Sequence, residues 1–147
     1  MQLKHTVAHL TLLLNYLKNT FMKISKGMLD HYIEYITSYY ILDHDEIPDE
    51  LDDCYSYVLR IKSQATKYQD LEPLRLGINY LLCHPEISLD NHGGAYTWDD
   101  EEVREFLHYI RSIVYPDAPK VNCEEVKDVE LTNTTNTHWW KSRGVQP

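Results

Sequence analysis

The sequence predicts an all-α protein, a bundle of about five helices with a partly ordered C-terminal tail. Apolar residues recur at the three- and four-residue spacing of helices through most of the first 116 residues. Of 147 residues, 43% are hydrophobic and only five are glycine and six proline, which is the composition of a folded domain. The length suits one domain. We divide it into a helical bundle over residues 1–116 and a tail over residues 117–147.

The N-terminal segment has the most regular helical pattern of the chain. Its main stripe repeats at alternating intervals of four and three residues and consists of Leu3, Val7, Leu10, Leu14, Leu17 and Phe21. A second stripe, roughly opposite, consists of His5, His9, Leu12 and Tyr16. The two stripes predict a helix covered on two faces, either at the centre of the bundle or in a homodimer.

The second and third predicted helices flank an acidic segment. Gly27 ends the first pattern, and the second helix runs from about Met28 to Leu42. Its predicted inward face consists of Leu29, Tyr32, Ile33, Ile36 and Tyr40. Pro48 predicts the first turn of the third helix, because proline loses no hydrogen bond there and the neighbouring carboxylates favour the positive end of the helix dipole. The third helix continues to about Tyr68 through Leu51, Tyr55, Val58, Leu59 and Ala65.

Two further helices are predicted before the tail. Asp70 is the predicted cap of the fourth, which ends at Cys83-His84-Pro85. Residues 84–97 form the longest predicted loop. Thr97, with Asp100 three residues later, is close to a capping box and predicts the start of the fifth helix, which ends at Tyr115-Pro116. The predicted inward face of this helix consists of Val103, Phe106, Leu107, Ile110 and Val114.

The tail has a weaker pattern. Its apolar residues are spaced too loosely for a long helix, which predicts at most a short strand or helix. Exposed tryptophans are costly, so Trp139 and Trp140 either fold back on the bundle or form a contact site.

The charge of the chain restricts its partners. The net charge is −9 and the pI is near 5.2, which argues against nucleic acid or an anionic membrane as the main ligand, since both are bound by lysine and arginine. Residues 1–42 carry a net charge of +2, so residues 43–147 carry −11. The expected partner is therefore a basic protein, with no nucleic acid and no membrane.

The cysteines and the hydropathy predict a soluble cytoplasmic protein. Cys54, Cys83 and Cys123 are an odd number without a CxxC spacing, which favours free thiols in a reducing compartment. No apolar stretch reaches the eighteen or more residues that a membrane span needs. The apolar zone at the N-terminus lacks the cleavage site of a signal peptide.

The motif search predicts no enzyme and no cofactor. The chain has no GxSxG, GxGxxG, Walker-type or HExxH motif, so we assign no catalytic, cofactor-binding or metal-binding residue. His5 and His9 have metal-ligand spacing but lack a third ligand. The enzyme alternative is a small helical RNA-directed enzyme that uses Arg104 and His108, one helical turn apart.

The candidate site is the segment of residues 43–53, which holds seven carboxylates in eleven residues between two pairs of tyrosines. Such a cluster repels itself and is expected on a solvated face or on a surface that meets a basic partner. Tyrosine is also enriched at interfaces. The predicted partner-binding residues are Tyr39, Tyr40, Asp43, Asp45, Asp49, Glu50, Asp52, Asp53, Tyr55 and Tyr57.

The predicted function is that of a non-enzymatic acidic binding protein, which docks on a basic protein and neutralises it. The expected setting is a bacterial immunity protein or antitoxin that covers the nucleic-acid site of a nuclease toxin. The alternatives are the RNA-directed enzyme and a structural homo-oligomer formed through the N-terminal helix.

Overall fold

The fold is mostly helical, as predicted, with one small parallel sheet. The structure is a computed structural model, and it describes residues 9–10, 22–89 and 98–146. The helices are α1 (Lys26–Glu34), α2 (Tyr40–His44), α3 (Tyr55–Lys67), α4 (Leu71–Cys83), α5 (Asp100–Val114) and α6 (Asn136–Ser142); the strands are β1 (Met22–Ser25) and β2 (Val129–Thr132). A π-helical stretch, Tyr35–Tyr39, joins α1 to α2, and 3-10 turns cover Leu51–Cys54 and Cys123–Val126. The predicted first helix, residues 3–21, lies outside the described residues except for His9 and Leu10, which are helical.

The second predicted helix is confirmed. It corresponds to the consecutive elements α1, the π-helical stretch and α2, and it is longer than expected. The Ser25 hydroxyl accepts a hydrogen bond from the backbone N–H of Met28 at 3.1 Å and so starts the helix two residues early. It ends at Asp45, which adopts a left-handed conformation with φ 56°. The whole predicted inward face is buried, namely Leu29, Tyr32, Ile33, Ile36 and Tyr40.

The third helix begins later than predicted, so the assignment of Pro48 to its first turn is wrong. The backbone of Glu50 is still extended, and its carbonyl oxygen accepts a hydrogen bond from the backbone N–H of Asp53 at 3.1 Å, at the start of the 3-10 turn that precedes α3. Asp53 completes a capping box by accepting the backbone N–H of Glu50 at 3.0 Å. Pro48 therefore lies in the connection between α2 and this turn.

The fourth and fifth helices are confirmed, but their caps differ from the prediction. Asp70 stands at the N-cap position of α4 without making a side-chain capping bond. For α5, the capping box pairs Asp99 with Glu102, whereas Thr97 lies outside the described residues. The predicted inward face of α5 is buried, namely Val103, Phe106, Leu107, Ile110 and Val114.

Residues 117–146 pack on the bundle. Strand β2 runs parallel to β1, in a register that pairs Ile24 with Leu131. The backbone then passes so close to Gly27 that a Cβ atom there would lie 2.6 Å from the carbonyl oxygen of Thr134, which explains why this position is glycine. Val126 and Trp140 are buried, so the tail contributes to the core.

A buried carboxylate fastens the tail. The side chain of Asp70 is 0% exposed and accepts hydrogen bonds from Tyr32 Oη at 2.6 Å, from the indole nitrogens of Trp139 and Trp140 at 2.9 and 2.7 Å, and from Arg143 at 2.5 Å. Burial and the bond to Asp70 raise the pKa of Tyr32. Both tryptophans therefore fold back on the bundle, which decides between the two alternatives that the sequence left.

The prediction of three free thiols is wrong for two of the cysteines. Cys83, at the end of α4, and Cys123 form a disulfide with a Cα–Cα distance of 5.7 Å. Only Cys54 is free, and it is buried. The pair is separated by 40 residues and has no spacing motif, so only the packing of the tail reveals it. Among the described residues, no helix is long and apolar enough to cross a membrane.

Candidate partner-binding surface

The acidic segment lies within residues 42–59, whose exposed side chains we call the 42–59 surface. It comprises the end of α2, the connection that follows, the 3-10 turn and the first part of α3. All seven of its carboxylates are exposed: Asp43, Asp45, Glu46, Asp49, Glu50, Asp52 and Asp53. The left-handed residue Asp45 turns the chain out of α2, which holds the segment at the end of the helix.

Two of the predicted tyrosines support this surface from inside. Tyr40 and Tyr57 are each 6% exposed. The Tyr57 hydroxyl donates to Asp43 at 2.6 Å, and the Tyr40 ring stacks on His44 with their centroids 4.1 Å apart. Burial, followed by the hydrogen bond to Asp43, raises the pKa of Tyr57 to about 12. These rings anchor the acidic segment to the core.

The other two predicted tyrosines are more accessible. Tyr39 is half-buried, with its ring edge against Tyr35 at a centroid distance of 5.2 Å. Tyr55 is 48% exposed, so it is the tyrosine of the four that offers the most contact area.

Besides Asp43, three further acidic residues of the surface have structural bonds. Asp53 accepts from the backbone N–H groups of Asp49 and Glu50, both at 3.0 Å, and the carbonyl oxygen of Glu50 accepts from the backbone N–H of Asp53. Asp52 accepts from Tyr109 Oη at 3.1 Å, which ties the turn to α5. Burial and this bond raise the pKa of Tyr109 to about 12. These residues are exposed, but part of their role is to start α3.

The remaining charge on the surface is unneutralised. Within the described residues, the carboxylates of Asp45, Glu46 and Asp49 accept no hydrogen bond, and none of the seven carboxylates is in an ion pair. The nearby cation Arg60 lies over the rings of Tyr35 and Tyr57, at 5.4 and 5.6 Å from their centroids. The surface therefore projects a negative field that a basic partner would neutralise.

Exposed apolar side chains accompany this charge, and sequence reasoning missed most of them. The large hydrophobic residues exposed on the surface are Leu42 (68%), Ile47 (38%), Leu51 (36%), Tyr55 (48%) and Leu59 (42%). Elsewhere in the described residues only Leu10 and Met22 are comparably exposed. Leu51, Tyr55 and Leu59 follow one another at intervals of four, from the 3-10 turn into the first turns of α3, and we call them the apolar stripe. The sequence shows this four-residue interval, and it predicts that the three residues belong to the third helix, but it does not predict their exposure.

Arg104 and His108, the residues of the enzyme alternative, both lie on α5 but differ in their contacts. Arg104 donates to the carbonyl oxygens of Pro85 and Ile87, both at 3.0 Å, and so holds the loop that follows α4. His108 is exposed on α5. The guanidinium group is thus committed to backbone carbonyls. In the part of the chain that the structure describes, no three His, Cys, Asp or Glu side chains are placed to hold a metal ion.

The fold and the surface together define a small, mostly helical protein with an exposed acidic and apolar face. Comparison of the chain with protein-family models, with curated proteins and with solved structures finds no match.

Proposed function

We propose that this chain is a non-enzymatic binding protein, which docks on a basic protein through the 42–59 surface and neutralises it. The observation that supports this proposal is the coincidence of two features in one segment of the chain. Residues 42–59 carry seven exposed carboxylates together with five exposed apolar side chains, Leu42, Ile47, Leu51, Tyr55 and Leu59. Exposed apolar side chains gathered in one place are typical of interaction sites.

The two features have separate roles in the proposed complex. The carboxylates steer a basic partner toward the surface and raise the association rate. The apolar stripe is buried on contact and slows dissociation. Asp45, Glu46 and Asp49 suit the first role, because no other described group neutralises them.

The setting that we propose is neutralisation of a nuclease toxin, as by an immunity protein or antitoxin. A nuclease must present a basic surface to the phosphate backbone of its substrate. An acidic face that covers this surface would block the substrate by occupying the same cations. The sequence predicts a cytoplasmic location. The Cys83–Cys123 disulfide favours an oxidising compartment instead, because such bonds persist mainly there.

The apolar stripe provides the test of the proposed surface. We expect the triple substitution Leu51→Gln, Tyr55→Gln and Leu59→Gln to weaken binding of a synthetic helical peptide of lysine and leucine by about a hundredfold, because each lost anchor at an interface costs about 1 kcal/mol or more. Calorimetric titration measures the affinity, and stopped-flow fluorescence assigns the loss to faster dissociation.

Met22→Gln is the control, because Met22 is 45% exposed but lies outside the surface. Its affinity for the peptide should equal that of the unmodified chain. If the triple variant also kept full affinity, the placement of the partner on this face would be wrong.

A further inference from the structure

A cavity of about 280 Å³ lies beside α1, and the proposed function does not use it. Its apolar lining includes Leu29 and Ile33 of α1, Leu81 of α4 and Val103 of α5, all of them buried. The lining contains no residue of the 42–59 surface. Binding in the cavity and docking on the surface can therefore be tested separately.

Two carboxylates without partners line the cavity. Asp30 and Glu34 are four residues apart on α1 and so lie on the same face of the helix. Within the described residues, neither carboxylate accepts a hydrogen bond or joins an ion pair. Partial burial, followed by the negative charge of Asp30, raises the pKa of Glu34. Asp30 is exposed and Glu34 is half-buried, so the two unpaired carboxylates give this side of the cavity a negative field that attracts a cation.

The charge balance of the cavity favours a cationic ligand. The other described ionisable residue in its lining is Lys26, one turn before Asp30, so the lining carries a net charge of −1 when all three are ionised. Thr37 and Ser88 complete the polar part of the lining. The rest of the lining is hydrocarbon, which stabilises an apolar group by removing it from water.

We propose that this cavity binds a small organic amine, with the ammonium group beside Asp30 and Glu34 and the apolar body against Leu29, Ile33 and Val103. An ammonium group has three donors and can serve both carboxylates at once. The volume is close to the lower end of the range for small-molecule sites, which suits a ligand the size of hexylamine and excludes a protein helix. The paired carboxylates disfavour an anion of the same length.

A matched ligand series tests the proposal on the full chain. Calorimetric titration compares hexylammonium, 1-hexanol and hexanoate, which share one hydrocarbon chain and differ in head-group charge. We expect saturable binding of hexylammonium, about tenfold tighter than that of hexanol, and no measurable binding of hexanoate. Equal affinities for the amine and the alcohol would overturn the proposal, as would the absence of saturable amine binding.

Variants distinguish the cavity from the overall negative charge of the protein. The double variant Asp30→Asn and Glu34→Gln should lose about tenfold in affinity for hexylammonium and keep its affinity for hexanol. The control Asp45→Asn with Glu46→Gln makes the same charge change on the 42–59 surface and should leave amine binding unchanged. Equal losses of hexylammonium affinity in the two variants would show that the amine is attracted by overall charge, and this would overturn the assignment of the site to the cavity. If the cavity variant failed to fold, the ligand series on the unmodified chain would still decide the question.

Discussion

Asp70→Ala is expected to lower the free energy of unfolding by about 3–5 kcal/mol, the usual cost of removing one partner from a buried ion pair. The substitution leaves Tyr32, Trp139 and Trp140 without their acceptor, and it leaves Arg143 without its counter-ion. Unsatisfied buried donors retain their full desolvation penalty, which is why the expected effect is large. Since domains of this size are stable by about 5–15 kcal/mol, the loss would be a large part of the total.

Urea denaturation followed by tryptophan fluorescence measures this effect, because two of the reporters contact the substituted side chain. Asp117→Ala is the control, since Asp117 is exposed and has no hydrogen bond to another described residue. Asp117→Ala should change the free energy of unfolding by no more than about 0.5 kcal/mol, as most surface substitutions do. A loss below about 1 kcal/mol for Asp70→Ala would contradict the role of this carboxylate in fastening the tail.

Reduction of the Cys83–Cys123 disulfide is expected to lower the free energy of unfolding by about 4 kcal/mol. The bond closes a loop with a sequence separation of 40, and the entropy that such a loop removes from the unfolded chain corresponds to this value. Thermal unfolding with and without a non-thiol reductant measures the loss. The variant Cys83→Ser with Cys123→Ser should melt in both conditions at the temperature of the reduced unmodified chain and show no response to the reductant.

A thiol count provides the independent check. Cys54 is buried, and burial together with the neighbouring Asp53 raises its pKa to about 11, so it should not react in the folded protein. In denaturant without reductant, one thiol per chain is expected to react, namely that of Cys54. Three reactive thiols would show that the disulfide does not form.

The helices of the bundle could be predicted because their apolar periodicity is local. The inward faces of α1 and α5 follow from spacing alone, and the structure buries them as expected. The parallel pairing of β1 with β2 could not be predicted, since Ile24 and Leu131 are distant in the sequence and each strand has only four residues. The contact of Asp70 with Trp140 spans 70 residues and likewise leaves no local signal.

The acidic residues of the candidate site could be predicted from the sequence, whereas its exposed apolar residues could not. The cluster of carboxylates is visible as a run of letters, and its exposure follows from the cost of burying charge. Which tyrosines face inward depends on the packing of α2 against α3, which buries Tyr40 and Tyr57 and leaves Tyr55 outside. Periodicity also could not show that the stripe of Leu51 and Leu59 remains uncovered, because it identifies an apolar face without saying what covers it.

The most direct test of the proposed function removes charge from the 42–59 surface and compares it with equal removal elsewhere. The site variant carries Asp45→Asn, Glu46→Gln and Asp49→Asn, which spare the capping bonds of Glu50 and Asp53. The control variant carries Glu101→Gln, Glu105→Gln and Asp117→Asn, three exposed carboxylates outside this surface. Both variants change the net charge by the same amount.

The measurement is the association rate of the lysine–leucine peptide by stopped-flow fluorescence at low and high salt. We predict that the site variant associates about tenfold more slowly at low salt and that its salt dependence is flatter, while the control stays close to the unmodified chain. Equal slowing of the two variants would show that net charge alone attracts the peptide. That result, or unchanged association of the site variant, would contradict the assignment of the 42–59 surface as the partner-binding site.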